Sequence, residues 1–350
     1  MLKILSNYFP NPTHFKAIPV GDGYINDTYR LLNSNGTDYL LQRINHEVFT
    51  DVPGLMNNLV SVTDFIKNKL TADTQYTDCL TVIPTIDERY FVKLENGQYW
   101  RILNFFDNYI SHNIPDTDVG IASQQIYSAA HAFGNFLYQL REFPVAQLSI
   151  VLPDFHHVPK RLIQLKHAIS INTNNRVTEL RKELEFIEKW KPEMCRIQKL
   201  IDQKKIPVRV THNDTKFNNV LFDKNGKARV VIDLDTVMPG CVHYDYGDGL
   251  RTTATTAAED EKDLNLVQVE PERYTAFQEG YLSGTADLLH PLEKATLSLA
   301  APTLAYIMAV RFLTDYLLGD VYYKIAYPKQ NLNRGKAQLR LTEQFLLMKI

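Results

Sequence analysis

The sequence predicts an α+β protein of two lobes, a small antiparallel β lobe followed by a larger, mostly helical one. Three observations carry this. Residues 1–106 hold short β-branched and aromatic runs broken by Gly, Asn and Asp, with one amphipathic helical pattern among them. Residues 107–350 are dominated by apolar residues three and four apart. Inside that second region stands one hairpin pattern, NVLFD then KNG then KARVVID, ringed by polar residues. At 350 residues, 45% of them hydrophobic and 22% charged, the chain can bury a sizeable core in two domains or one two-lobed unit.

Ile18 to Leu32, IPVGDGYINDTYRLL, reads as strand, glycine-rich turn, strand. Gly21 and Gly23 let backbone N–H groups approach a phosphate, and equally make an ordinary hairpin turn. Asn26, Asp27 and Thr28 follow, placed either to touch phosphate or sugar or to satisfy the turn. Tyr39 to Asn45, YLLQRIN, is the next strand, and alternation turns only one of Gln42 and Arg43 inward. Val52 to Leu70 has Leu55, Leu59, Val62, Phe65 and Ile66 at helical spacing and contains no Glu. The runs TVIPTI, RYFVKL and YWRILNFF complete an expected five-stranded antiparallel sheet. Asp107 to Asp118 is polar with a proline, which places the lobe boundary near Phe106.

The helical lobe opens with Val119 to Phe143, where Ile121, Ile126, Ala129, Phe133, Phe136, Leu137 and Leu140 share one side. His156-His157 lacks the i, i+4 spacing of a helical metal pair and is not read as a metal site. Val177 to Ile201 reads as one charged amphipathic helix with a solvated face. A helix begins at Tyr244. Ala300 to Leu318 and Leu332 to Met348 close the chain as helices.

The chemistry concentrates in Thr211 to Asp248. His212-x-Asp214-x-Lys216-x-x-Asn219 precedes the hairpin, and Ile232-Asp233-Leu234-Asp235 follows it. The Asn225-Gly226 turn, at positive φ, brings Asn219 and Asp233 to one end of the ladder, with Asp214 just outside on the incoming loop. Phosphoryl transfer needs a carboxylate to orient the attacking hydroxyl and take its proton. It also needs an amide oxygen and a second carboxylate for Mg²⁺. Asp214, Asn219 and Asp233 supply all three, and Lys216 is placed to offset charge on the transferred group. Asp245 is read as a brace for the loop, or as a helix cap, and His212 as a residue that orients it. Each residue alone is common in turns; the ordered set on a loop, strand, turn and strand points to a kinase.

This stretch resembles the aminoglycoside phosphotransferase / choline kinase superfamily, which shares the protein-kinase-like fold. Within it, THNDTKFNN, GKAR, IDLDT, MPG and DYGD are most similar to the N-acetylhexosamine 1-kinases, as are GDGYINDTY, AAEDEKDL and MAVRFLTDYLLGDVYY. The resemblance covers almost the whole chain. It implies an ATP- and Mg²⁺-dependent kinase that phosphorylates the anomeric hydroxyl of N-acetylglucosamine or N-acetylgalactosamine. It further implies that backbone near Asn104 and Phe106 pairs with the adenine edge, a buried strand end being the other reading. The superfamily usually carries a Lys or Arg on the YLLQRIN strand to pair the α- and β-phosphates; this chain offers Gln42 or Arg43. Asp235, Arg311 and Asn26 are the substrate candidates. For Arg311 the competing reading is an internal salt bridge with Asp315, one helical turn on. Other alcohols (choline, homoserine, an aminoglycoside) and an inactive kinase-like binding module are the alternatives.

A net charge of −2 gives no reason to expect nucleic acid or an anionic membrane as partner. Cys79, Cys195 and Cys241 form no C-x-x-C pair and read as buried thiols in a reducing compartment. The start, MLKILSNYFPNP, lacks a signal peptide's apolar core, and the apolar run Leu297 to Val310 is too short to span a bilayer. The expectation is a cytoplasmic enzyme acting on a small-molecule sugar.

Overall fold

The computed structural model describes residues 1–20, 25–34, 36–69 and 78–348. Helix α1 (Leu2–Leu5) precedes strands β1 (Phe15–Pro19), β2 (Asp27–Asn33) and β3 (Tyr39–Ile44). Helix α2 (Val52–Lys69) leads to β4 (Val82–Ile83), β5 (Val92–Lys93) and β6 (Tyr99–Asn104). Helices α3 (Val119–Gln139), α4 (Val158–Ile171), α5 (Arg181–Met194) and α6 (Arg196–Asp202) follow. Then come strands β7 (Arg209–Thr211), β8 (Val220–Phe222), β9 (Ala228–Val231) and β10 (Met238–Gly240). The chain closes with α7 (Val242–Thr253), α8 (Pro271–Thr285), α9 (Pro291–Thr296), α10 (Ala300–Leu318) and α11 (Gln330–Leu347). These form two compact units. One comprises residues 1–112, 139–153 and 219–239; the other comprises 113–138, 154–218 and 240–350. The α+β class is as predicted, an antiparallel sheet and a larger helical body.

The sheet of the first unit runs β1-β2-β3-β6-β4, with β5 also on β6. Val82 and Ile83 face Leu103 and Ile102, while Val92 and Lys93 face Trp100 and Tyr99. The two short strands therefore share one edge of β6, and six strands fill the five expected positions. Pro84 has no N–H for a ladder, so TVIPTI yields only two strand residues. Ile4, Leu5, Leu31, Leu41, Trp100 and Ile102 form an apolar cluster in this unit. Helix α2 buries Leu55, Leu59, Val62 and Ile66 of the stripe read from the sequence, and Met56 besides; Phe65 meets Phe143 edge-on at 5.2 Å.

Helix α10 is the axis of the second unit. Leu304, Ile307, Val310, Leu313 and Leu317 pack there with Leu165, Ile187, Ile197 and Leu339. A Cβ on Gly247 would lie 2.5 Å from the Ala300 carbonyl, so α7 approaches the start of α10 through a glycine. Among the described residues one helical stretch, Pro291–Leu318, is long and apolar enough to cross a membrane, longer than the apolar run suggested; 78% of its most apolar window is buried inside the protein.

Three local expectations are corrected. Val177 to Ile201 is not one helix: a 3₁₀ stretch, Thr173–Leu180, precedes α5, and a break at Cys195 separates α5 from α6. Pro192, inside α5, lacks the N–H that would continue the ladder. The hairpin turn is not a two-residue one with both residues at positive φ. Only Gly226 has positive φ (75°), and Asp223 organises the loop by accepting the N–H groups of Asn225 at 2.8 Å and Lys227 at 3.1 Å. That is a longer loop closed by a glycine in the left-handed region. Of the cysteines only Cys241 is fully buried; Cys79 and Cys195 are partly exposed, and all three are free.

Candidate active site

The helical unit presents the sequence HND after strand β7. Asn213 adopts a left-handed conformation, φ 65°, which Asn tolerates better than most residues. Its side chain is held by Thr211: Oγ1 lies 3.1 Å from Asn213 Oδ1, and Asn213 Nδ2 donates to the Thr211 carbonyl at 3.1 Å. Asp245, in the first turn of α7, accepts the His212 N–H at 2.9 Å and the Asn213 N–H at 2.7 Å. Asp245 is therefore the brace; the N-cap position of α7 is Cys241, which makes no side-chain cap bond. Burial pushes the Asp245 carboxyl up to about 6; the neighbouring His212 and the two N–H donors work against that rise. His212 Nδ1 accepts the Asp214 N–H at 3.2 Å, and its ring meets Phe133 and Phe136 edge-on. Buried His156 bonds through Nε2 to the Asn213 carbonyl at 2.9 Å. A carbonyl only accepts, so Nε2 carries the proton. Burial pulls this imidazole down to about 4, so it stays neutral.

The brace fixes where Asp214 begins. Its carboxylate contacts Lys216 Nζ at 2.8 and 3.1 Å. Burial would raise the Asp214 pKa, but Lys216, His212 and Arg251 outweigh it and hold the carboxyl below the usual range. For Lys216, burial acts downward and is outweighed by Asp214 and Asp248, so its pKa is raised. Asp248 is itself paired with buried Arg251 at 2.9 Å.

In the sheet unit the hairpin closes as the sequence implied. Val220 faces Val231, and the Ile232 N–H bonds to the Asn219 carbonyl at 2.9 Å. Asn219 and Asp233 thus sit at its open end. Asp233 is in the left-handed region, φ 58° and ψ 55°, and opens a 3₁₀ turn over Leu234–Thr236. The reversal leaves Asp233 exposed while Leu234, Asp235 and Thr236 turn inward. One amide and one exposed carboxylate suit Mg²⁺, which binds few protein oxygens and keeps water and phosphate ligands. Among the described residues no cluster of three His, Cys, Asp or Glu forms a complete metal cage.

The other predicted residues fall as follows. Gly21 and Gly23 lie outside the described residues. Register settles the Gln42/Arg43 choice: Arg43 pairs with Asp27 at the surface, Nε to Oδ2 at 2.6 Å, and Gln42 turns in. Gln42 Oε1 accepts two bonds from Arg101, at 2.9 and 2.8 Å. Asp235 is 3% exposed and contacts Arg101 at 2.6 Å, and Asn26 Nδ2 donates to its second oxygen at 2.7 Å. Asn26 and Asp235, both substrate candidates, bind each other. Asn104 spends its side chain on the Thr81 N–H and the Cys79 carbonyl; Phe106 stacks on Tyr109 at 5.8 Å.

Arg311 does not pair with Asp315, whose carboxylate instead accepts the N–H groups of Val321, Tyr322 and Tyr323 and the amide of Asn331. Its guanidinium lies over Phe155 at 5.0 Å and Tyr323 at 5.6 Å. Arg161, partly buried nearby, donates twice to the Phe155 carbonyl; burial and then Arg311 pull its pKa down. Sequence reasoning missed Arg101, whose partners Gln42 and Asp235 lie far along the chain, and Arg161, which meets Arg311 only in the fold.

The profile of the phosphotransferase enzyme family matches residues 88–286. An aminoglycoside phosphotransferase from Alicyclobacillus acidocaldarius subsp. acidocaldarius DSM 446 superposes with a TM-score of 0.63 at 13% identity, over 99% of this chain and 94% of that one. Amicoumacin kinase hAmiN, in complex with AMP-PNP, Ca²⁺ and Ami, gives 0.59 at 11% identity over 95% and 90%. Choline kinase from Cryptosporidium parvum Iowa II gives 0.58 at 13% identity over 99% and 95%. At these identities the likeness is one of fold.

Proposed function

This chain belongs to the phosphotransferase enzyme family, and from that premise we propose that it uses ATP and Mg²⁺ to phosphorylate the anomeric hydroxyl of an N-acetylhexosamine. The observation that carries the acceptor class is Arg311. It sits on an aromatic face with Arg161 beside it, and neither guanidinium has a carboxylate within ion-pair distance among the described residues. A cationic, aromatic-lined face disfavours choline and aminoglycosides and suits hydroxyl and carbonyl oxygens. The sequence likeness to the N-acetylhexosamine kinases supports the same choice.

In this reading Asp214 orients the acceptor hydroxyl and takes its proton. Its depressed pKa makes it a weak base, which suffices because a hemiacetal hydroxyl is more acidic than an ordinary alcohol. Lys216 exchanges Asp214 for the transferred phosphoryl group. Asn219 and Asp233 would hold Mg²⁺, and the bound ion would supply neutralisation of phosphate charge. Arg311 donates to sugar oxygens.

The test is ADP release with ATP and Mg²⁺ over N-acetylglucosamine, N-acetylgalactosamine, choline, homoserine and aminoglycosides. The N-acetylhexosamines are expected to turn over best. Arg311→Ala should raise the sugar KM, leave the ATP KM alone and lower kcat/KM more than about tenfold, as loss of a charged donor implies. Preference for choline or an aminoglycoside removes the sugar assignment.

A further inference from the structure

A kinase-like sheet without a phosphate-clamping Lys on its third strand still contains, among the described residues, a buried cation, and its partners say what it does. Arg101 lies on β6, directly across the ladder from Gln42. Its side chain is 2% exposed. Nε and Nη2 converge on Gln42 Oε1, and Nη1 contacts Asp235 Oδ1 at 2.6 Å, with Met56 Sδ at 3.8 Å. Gln42 is fixed in turn by donating to Thr28 Oγ1 at 3.2 Å. A fork so occupied and so buried is spent inside the protein and has no reach toward a nucleotide.

The carboxylate it grips belongs to the segment that carries Asp233. That residue holds a left-handed conformation, uphill for any residue with a side chain. The turn after it must be anchored or it relaxes. Arg101 grips Asp235 from the sheet, Asn26 grips the second oxygen, and Asn58 of α2 donates to the Val237 carbonyl at 2.9 Å. Asn26 also accepts the Asn45 N–H at 3.0 Å, which ties the residue just before β2 and the residue just after β3 to the same node.

We propose that Arg101 is a positioning residue: by anchoring Asp235 to the sheet it holds Asp233 in the strained conformation that aims its carboxylate at the metal–nucleotide complex. The proposal rests on the kinase reading above. In it the sheet's buried cation clamps the metal-binding turn and not phosphate.

The experiment is nucleotide binding by a fluorescent ADP analogue with and without Mg²⁺, beside Mg²⁺ titrations of turnover, for wild type, Arg101→Gln, Arg101→Lys and the double variant Arg101→Gln with Asp235→Asn. Removing the outer partner of a metal ligand typically weakens metal affinity about 10- to 100-fold. Arg101→Gln should therefore lose most of the Mg²⁺-dependent gain in nucleotide affinity and need more Mg²⁺ for half-maximal turnover. Metal-free nucleotide binding and the acceptor KM should stay near wild type. Arg101→Lys keeps the charge and should recover part of the loss. If the unpaired Asp235 unfolds the single variant, the double variant removes that charge and should fold with the same metal defect. A folded variant with unchanged Mg²⁺ dependence overturns the proposal alone. A wild type whose nucleotide affinity ignores Mg²⁺ overturns the kinase reading and the proposal together.

Discussion

Two segments of this protein solve the same backbone problem by different means. The loop before Asp214 and the turn that begins at Asp233 each contain a non-glycine residue in the left-handed region, Asn213 and Asp233. In the helical unit the loop is braced by Asp245, a buried carboxylate that accepts two backbone N–H groups. In the sheet unit the turn is braced by a buried ion pair, Arg101 with Asp235. The Asp245 carboxyl titrates upward, because its desolvation outweighs the pull of His212 and of the two N–H donors. The loop brace is therefore pH-sensitive near neutrality, while the turn brace exposes a charge penalty only when one partner is removed.

The largest effect expected lies inside the loop. Asp214→Asn should cut turnover at least about a thousandfold, within the range for loss of a general base, and leave nucleotide affinity near wild type. Steady-state turnover with parallel nucleotide titration measures both. Near-full activity in that variant would leave the brace with nothing to position.

The next effect is on the brace. As pH falls through about 6, Asp245 takes a proton and weakens its hold on His212 and Asn213. Asp214 stays ionised there because its pKa is depressed. The acid limb of kcat should thus track Asp245, and Asp245→Asn should lose tenfold or more, about one charge-assisted hydrogen bond, and lose that limb. Stability runs the other way. A carboxyl whose folded pKa exceeds its unfolded value binds a proton more tightly in the native state. Its contribution to stability is present at low pH and is lost as pH rises through about 6, on the order of 2–3 kcal/mol. Denaturant unfolding of wild type and Asp245→Asn between pH 4 and 8 reads the difference. An unchanged limb in the variant would assign it elsewhere.

The smallest effects sharpen the sheet side. Arg43→Ala removes a surface pair with Asp27 and should stay within about 0.5 kcal/mol of wild type in stability and ATP binding. Gln42→Ala removes an acceptor of two bonds from buried Arg101 and should cost more, by thermal melting and by Mg²⁺ requirement. Equal effects would show that the Arg101 node is not organised through Gln42.

These pairs also mark what the sequence could reveal. The hairpin and its open end were legible, because D-x-x-x-x-N and the Asn-Gly pair are local signals with a backbone cause. The Asp245 brace was legible as an acidic residue just after the strand pattern. Gln42 against Arg43 was not decidable, since alternation says that one turns inward and only the register with β6 says which. Arg101 was invisible: it reads as an ordinary strand Arg until the fold brings Asp235 to it. Arg311 misled locally. Asp315 stands one turn on, where a helical ion pair is expected, but three N–H groups of the following loop claim its carboxylate. Pro192 was in plain view, yet the charged periodicity around it read as an unbroken helix.

The account's central claim is that Asp214 directs phosphoryl transfer to the anomeric oxygen of an amino sugar. Phosphorus–proton correlation NMR on a reaction of this protein with ATP, Mg²⁺ and N-acetylglucosamine tests it most directly. The account predicts a new phosphorus resonance coupled to the sugar's anomeric proton, absent with Asp214→Asn. Phosphate on any other oxygen of the sugar, or no sugar phosphate while choline or an aminoglycoside is phosphorylated, would contradict it.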